Sequence, residues 1–197
     1  MKAVSTIYTN AKAAGALRMY TQAFLLMLLL CAASARAAVS SDAMSSRRAE
    51  LRRACAMATQ SMEHAEKMLE DLDEVTESEP LAYGYRAMAE FLISHHSYNP
   101  VTKYRRFTSA KETLEKAVQA APDLPELRYL RFTIQSRLPS MLPYREHLEA
   151  DKDFLLQYLC ERSARDDDNE LNSNIRNSLL ASPLCTGADK ERLRRVR

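Results

Sequence analysis

The sequence predicts an all-α fold, a compact multi-helix domain of antiparallel helices, on three observations. Apolar residues recur every three or four positions, most clearly from Leu51 to Leu72. The two-residue alternation of a half-buried strand is missing over any useful length. Proline stands at the edges of the periodic stretches, at Pro80, Pro122, Pro125 and Pro139, where it opens or closes helices. With 46% apolar and 27% charged residues in a chain of 197, a core can form, which excludes wholesale disorder and a collagen-like fibre.

Each element follows from the same reasoning. From Arg47 to Val75 there is neither Pro nor Gly, and Leu51, Cys55, Ala58, Met62, Ala65, Leu69 and Leu72 make one stripe. That predicts a single helix of about 30 residues. The acidic run from Glu70 to Glu79 opposes the negative end of the helix dipole and ends the helix near Glu74. Pro80 opens a second helix to about Ser94, with Leu81, Tyr85, Met88 and Leu92 inward. The polar stretch His95–Lys103, interrupted by Pro100, reads as a loop. A third helix, capped by Thr102 or Thr108, carries Tyr104, Phe107, Ala110, Leu114, Ala117 and Val118 and stops before Pro122. A fourth starts at Asp123 or Pro125, turns Leu127, Leu130 and Ile134 inward, and ends at Pro139. A fifth spans about Tyr144 to Cys160 on Leu148, Leu155 and Leu159. The run Arg165–Glu170 caps a short helix with Leu171, Ile175 and Leu179, and residues 188–197 read as a basic, solvent-facing end.

The N-terminus has the three parts of a secretory signal. Lys2, Lys12 and Arg18 stand in an acid-free start, FLLMLLL covers Phe24–Leu30, and Ala35-Arg36-Ala37 supplies small residues for cleavage. The apolar core is shorter than the roughly 20 residues a membrane span needs. Large Leu28, Leu29 and Leu30 directly before Cys31 suit lipoprotein processing badly. The expected organisation is a signal over 1–37, one helical domain over 38–165, and a short helix with a basic tail over 166–197. The location is then exported, periplasmic or secreted, with no transmembrane segment in the mature chain. Cleavage changes the charge: 28 basic against 26 acidic residues becomes 24 against 26, or −2. A nucleic-acid partner loses its electrostatic basis.

Phe107–Pro122 resembles the second helix of a tetratricopeptide repeat, through Ala110, Leu114, Ala117 and Pro122. Tyr83-Gly84 and Ala87 look like the small-residue seam of the repeat's first helix, where small side chains let antiparallel helices approach. Gly84 and Ala110 lie about twice as far apart as in a standard repeat, which implies one irregular copy. The chain also resembles small exported bacterial proteins of unassigned function. Asn99-Pro100, Lys103, Phe107, Leu114–Val118, Glu126, Arg128–Phe132, Ile134-Gln135, Tyr144, Asp151-Lys152 and Phe154 carry that likeness. It implies a compact helical domain and assigns no catalytic residue.

Candidate sites rest on chemistry. Arg128 and Arg131 share a helix face and alternate with Tyr129, Leu130 and Phe132, so a buried guanidinium is expected to need Asp151 or Glu126. One reading is a structural ion pair, Arg131 with Asp151; the other is a pocket for an anionic ligand, read by the arginine fork. His95, His96, Asn99 and Lys103 form a second polar group. Adjacent histidines diverge by about 100° on a helix and chelate poorly, so no metal is assigned. There is no HExxH motif, nucleophile elbow or Gly-rich phosphate loop, so no catalytic residue and no cofactor are expected. Cys160 and Cys185 are expected to close a disulfide in an oxidising compartment, leaving Cys55 as a buried thiol. Two function classes result. The first is an exported interaction or structural module that binds a protein or peptide through a Tyr/Arg-lined face between the second and fourth helices. The second is a periplasmic binder of anionic small molecules, or a hydrolase, centred on Arg128, Arg131, His95 and His96.

Overall fold

The computed structural model describes residues 42–138, 144–161 and 168–195. The signal expected over 1–37, with Cys31, lies outside them, as do Pro139 and Arg165. The chain falls into two units, Met1–Glu50 and Leu51–Arg197. In the first, residues 42–50 are helical and carry an exposed Arg47–Glu50 pair at 3.0 Å. The second contains α1 (51–58), α2 (Met62–Asp71), α3 (Pro80–His96), α4 (Pro100–Ala120), α5 (Pro125–Arg137), α6 (Leu148–Glu161), α7 (Asn169–Ala181) and α8 (Gly187–Arg195). Among the described residues there is no strand, as the sequence predicts, and no helix is long and apolar enough to cross a membrane.

The single long helix expected from Arg47 to Val75 is broken at Thr59–Ser61. The cause is hydroxyl chemistry rather than Pro or Gly. Thr59 Oγ1 donates to the Ala56 carbonyl at 2.7 Å, and Ser61 Oγ accepts from the His64 amide at 3.3 Å, which caps α2. Such side chains offer the backbone a partner that competes with the helix. The stripe survives the break in part: Leu51, Ala58, Ala65 and Leu72 are buried, Cys55, Met62 and Leu69 only partly so, and Met68, outside the expected stripe, is buried instead of Leu69.

The loop expected over His95–Lys103 shrinks to three residues. Helix α3 continues to His96, and Asn99 caps α4 by accepting from the amides of Val101 and Thr102, with Pro100 in the first turn. Pro100 thus starts a helix with its missing N–H where none is needed. Helices α3 and α4 form a tight antiparallel hairpin. The first is buried around most of its circumference, with Ala82, Tyr85, Ala87, Met88, Ala89, Phe91 and Ile93 in the core. The expected inward residues Leu81 and Leu92 are only partly buried, and Tyr104 on α4 points to solvent.

Two apolar clusters result, and α5 stands between them. Leu127, Leu130 and Ile134 join the cluster built from α1 to α4, while Phe132 joins the one built from α6, α7 and α8. At about 100° per residue, Leu127, Leu130 and Ile134 occupy one face and Tyr129 and Phe132 the opposite one. The two flanks carry polar groups: Arg128, Arg131 and Gln135 on one, Glu126 on the other.

Helix α6 begins at Leu148, four residues later than expected, because Tyr144 is used as an anchor. Its ring is fully buried, stacked on Phe91 at 6.4 Å and edge-on to Phe107 at 6.2 Å. The C-terminal segment is not a free solvent-facing end. Leu193 of α8 is fully buried in the second cluster, a contact that contributes about 1.5–3 kcal/mol.

Candidate functional site

The polar residues on the flanks of α5 build two arginine-centred networks. On one flank, Arg131 donates from Nε to Asp151 Oδ2 at 2.7 Å, from Nη2 to Oδ1 at 2.8 Å, and from Nη1 to Glu115 Oε2 at 2.6 Å. Arg128 Nη1 reaches the same Asp151 Oδ1 at 2.8 Å, while its Nε donates to the Pro122 carbonyl at 2.9 Å and its guanidinium lies over the Phe154 ring. Tyr144 donates to Glu115 Oε1 at 2.7 Å. Arg131 keeps 4% of its side-chain surface and Asp151 none. The network therefore ties α4, α5 and α6 together inside the protein.

The other flank repeats the scheme with different elements. Arg52 of α1 donates to Glu126 through Nε at 2.6 Å and Nη2 at 2.9 Å. It reaches Asp168 through Nη1 at 2.7 Å and Nη2 at 2.6 Å, and Glu170 through Nη1 at 3.4 Å. All five N–H groups of this guanidinium are used. Tyr85 of α3 donates to Glu126 Oε1 at 2.7 Å, and Asp168 also caps α7 through the Leu171 amide. Glu126 is 1% exposed and Arg52 11%. Each network joins a helix of the first apolar cluster to one of the second.

Electrostatics follow from this packing. Burial disfavours the charge on Arg52, yet hydrogen bonds to Asp168 and Glu126 outweigh it and hold the pKa above the ordinary arginine value. Burial likewise opposes the charge on Arg131, and Asp151 and Glu115 outweigh it in the same direction. Burial, reinforced by the neighbouring Glu126 and Glu115 carboxylates, pushes the Tyr85 and Tyr144 hydroxyls far above the ordinary phenol range. These tyrosines are permanent donors at any ordinary pH.

The residues expected to form one anionic-ligand or hydrolase centre are not brought together. Arg128 and Arg131 lie beside the C-terminal half of α4, at Glu115 and Pro122. His95, His96, Asn99 and Lys103 lie at its N-terminal end. Lys103 and Glu115 are separated by about 18 Å along that helix. His96 Nε2 donates to the Ala58 carbonyl at 3.0 Å, Asn99 is occupied as a cap, and His95 and Lys103 are exposed. Tyr129 is half-buried, its hydroxyl paired with Ser178 at 3.2 Å. The Tyr/Arg face expected on the fourth helix is therefore largely spent on internal contacts. Among the described residues no group of three or more His, Cys, Asp or Glu is arranged to hold a metal ion.

The expected Cys160–Cys185 disulfide is absent: Cys55, Cys160 and Cys185 are all free thiols. Burial, then the neighbouring Asp189 carboxylate, raises the Cys185 thiol, and Lys152 and Glu149 in the first turns of α6 act on it more weakly. Cys160 sits in the last turn of the same helix, about 12 Å further along the axis than Lys152. A bridge needs Cα atoms within about 7 Å. Cys160 thus sits at the C-terminal end of α6, whereas Cys185, in the turn between α7 and α8, lies toward the N-terminal end of α6.

Arg52, Glu115, Asp168, Tyr85 and Tyr144 are structural polar residues that sequence reasoning did not single out as partners. The available signal was Arg52 beside Leu51 on a buried stripe, and Asp168 three residues before Leu171, the first apolar residue of α7. Comparison with known protein families, with curated proteins and with solved structures finds no match.

Proposed function

We propose that this chain is an exported helical module that acts by binding a protein or peptide, built on an α3–α4 hairpin of tetratricopeptide-repeat character. The observation that carries the repeat reading is the seam at Gly84. A Cβ added there would lie 2.3 Å from Leu127 Cδ2 and 3.8 Å from the Ala117 Cβ. Three helices thus approach at one residue with no side chain, with Ala117 on α4 and Leu127 on the following helix. A repeat's first helix, its second helix and the next first helix meet on the same small-residue logic. Export rests on the charge and hydropathy order of residues 1–37.

The second reading, a small anionic ligand or a hydrolytic centre at Arg128 and Arg131, has less support. Both guanidinium groups are committed to Asp151, and Arg131 to Glu115 as well. A ligand there would have to displace buried carboxylates.

The experiment is site-specific photo-crosslinking in the exporting cell, with the crosslinker at Glu112, Lys116 or Gln119 on the exposed side of α4, and at Asn177 of α7 as control. A discrete adduct from the α4 positions alone is expected. Equal smears from all four positions would remove the reading. Intact mass of the exported protein should place its first residue near Ala38.

A further inference from the structure

The turn between α3 and α4 combines exposed apolar side chains with unpaired positive charge. Tyr98 is 103% exposed, Tyr104 72% and Val101 65%. Val101 and Tyr104 are three apart on α4 and share a face, with Tyr98 just before the helix. The stretch 91–111 contains no Asp or Glu and includes Lys103, Arg105, Arg106 and Lys111. Arg106 faces Glu90 at 3.7 Å and Lys111 pairs with Glu146 at 3.3 Å. Lys103 and Arg105 have no carboxylate partner among the described residues, and both are exposed. Basic residues near the positive end of a helix dipole are unfavourable for the helix itself. Among the described residues these five side chains make no hydrogen bond or ion pair with the folded domain, and each is exposed.

We propose that this turn docks onto an anionic phospholipid surface, with Tyr98, Val101 and Tyr104 entering the headgroup layer and Lys103 and Arg105 pairing with lipid phosphates. This goes beyond the module reading above and does not depend on it. Shape favours lipid over a protein partner. Tyr98 projects from the tip of a two-helix hairpin and touches almost nothing of its own chain, so the surface is convex. A stable protein interface buries about 1,200 Å² or more, which a convex tip of three apolar residues does not offer. Interfacial binding needs only a few amphipathic side chains and a positive charge excess. Tyrosine suits that layer, with an apolar ring and a polar hydroxyl.

Charge along the hairpin sets the orientation. Lys116 of α4 pairs with Glu77 at 3.6 Å, which puts the acidic stretch from Glu70 to Glu79 toward the other end of α4. Lys103 and Lys116 are separated by about 20 Å along the helix. An anionic leaflet therefore attracts the turn and repels the opposite end.

The test uses the full exported chain. It contains no tryptophan, so Tyr98→Trp supplies a single reporter at the tip. Vesicles of phosphatidylglycerol mixed with phosphatidylcholine should shift its emission to the blue and shield it from a soluble quencher, and pure phosphatidylcholine should not. Each basic side chain near an anionic leaflet is worth about fivefold in partitioning, so Lys103→Gln with Arg105→Gln should weaken sedimentation with these vesicles about 30-fold. Added salt should weaken it too. Unchanged helical circular dichroism shows that the variants fold. No spectral shift with the anionic vesicles overturns the proposal, as does equal binding to neutral ones. Binding to polyglutamate in solution without binding to vesicles also overturns it, and assigns the turn to an acidic protein partner instead.

Discussion

Arg131 grips both oxygens of Asp151 from the middle of α5, at 2.7 and 2.8 Å, in a position from which solvent is almost wholly excluded. The pair sits on the seam between two apolar clusters, and Arg52 with Glu126 occupies the opposite flank of the same helix. Buried ion pairs add little net stability compared with apolar residues of equal volume. Their geometric demand is another matter. A slipped packing of α6 on α5 would leave the Asp151 carboxylate unpaired in a dry interior and Arg131 with Glu115 alone, so the pairs select one arrangement of the two clusters.

Removing one partner should therefore cost far more than the pair contributes. Asp151→Ala and Arg131→Ala are each expected to lose about 3–5 kcal/mol in urea denaturation. The double variant should lose less than the sum, with a coupling of about 0.5–3 kcal/mol. Strict additivity would show that the two side chains act independently.

Arg52 should resist replacement by lysine. Its five N–H groups reach three carboxylates, and an ammonium cannot reproduce two parallel forks. Arg52→Ala leaves buried Glu126 with only Tyr85, for an expected loss of about 3–5 kcal/mol. Arg52→Lys should fall between that variant and the native chain in Tm. Full recovery by lysine would mean that charge, not the fork, matters.

Gly84→Ala opposes two effects of known sign. Alanine gains about 1 kcal/mol in helix propensity. Its Cβ would meet Leu127 Cδ2 at 2.3 Å, and Leu127 is fully buried with Leu130 beside it. Overpacking costs about 1–3 kcal/mol. A net loss in urea denaturation is expected, and a gain would show that Leu127 has room to turn.

The apolar framework was legible because helical periodicity records burial directly. Leu127, Leu130, Ile134, Leu148, Leu155, Leu159, Leu171, Ile175 and Leu179 were expected inward and all are buried. What escaped depends on contacts between distant residues or on hydroxyls that sequence pattern does not rank. Thr59 and Ser61 end a helix that contains neither Pro nor Gly. Glu126 was named beside Asp151 as a partner for the arginines of α5, with Asp151 assigned to Arg131, but helical rotation sends Glu126 to the opposite flank, where Arg52 takes it. Leu193 stood in a basic run whose charges hid its single buried side chain.

The thiols should behave as three separate groups. Burial pushes Cys55 up to about 11 and raises Cys185 as well. Alkylation of both at pH 8 is expected to be slow in the native protein and fast after denaturation, as read by peptide mass. Cys160→Ser should give the same Tm with and without reductant. A native chain whose Tm falls on adding reductant would contradict the free-thiol geometry.

Alkaline stability should be governed by Tyr85 and Tyr144. Each donates its proton to a buried carboxylate, and burial together with that carboxylate holds it far above the ordinary phenol range. In the unfolded chain both titrate near about 10. Below that value the folded and unfolded states hold these protons alike, and the stabilisation is complete. Above it the unfolded chain releases two protons that the folded protein keeps, so stability falls as pH rises. Native ultraviolet titration to about pH 11 should show neither residue ionising. Tyr85→Phe and Tyr144→Phe should leave the titrated absorbance unchanged while flattening the decline of the urea midpoint above pH 10. Loss of titrated absorbance in either variant would place that hydroxyl in contact with water rather than against its glutamate.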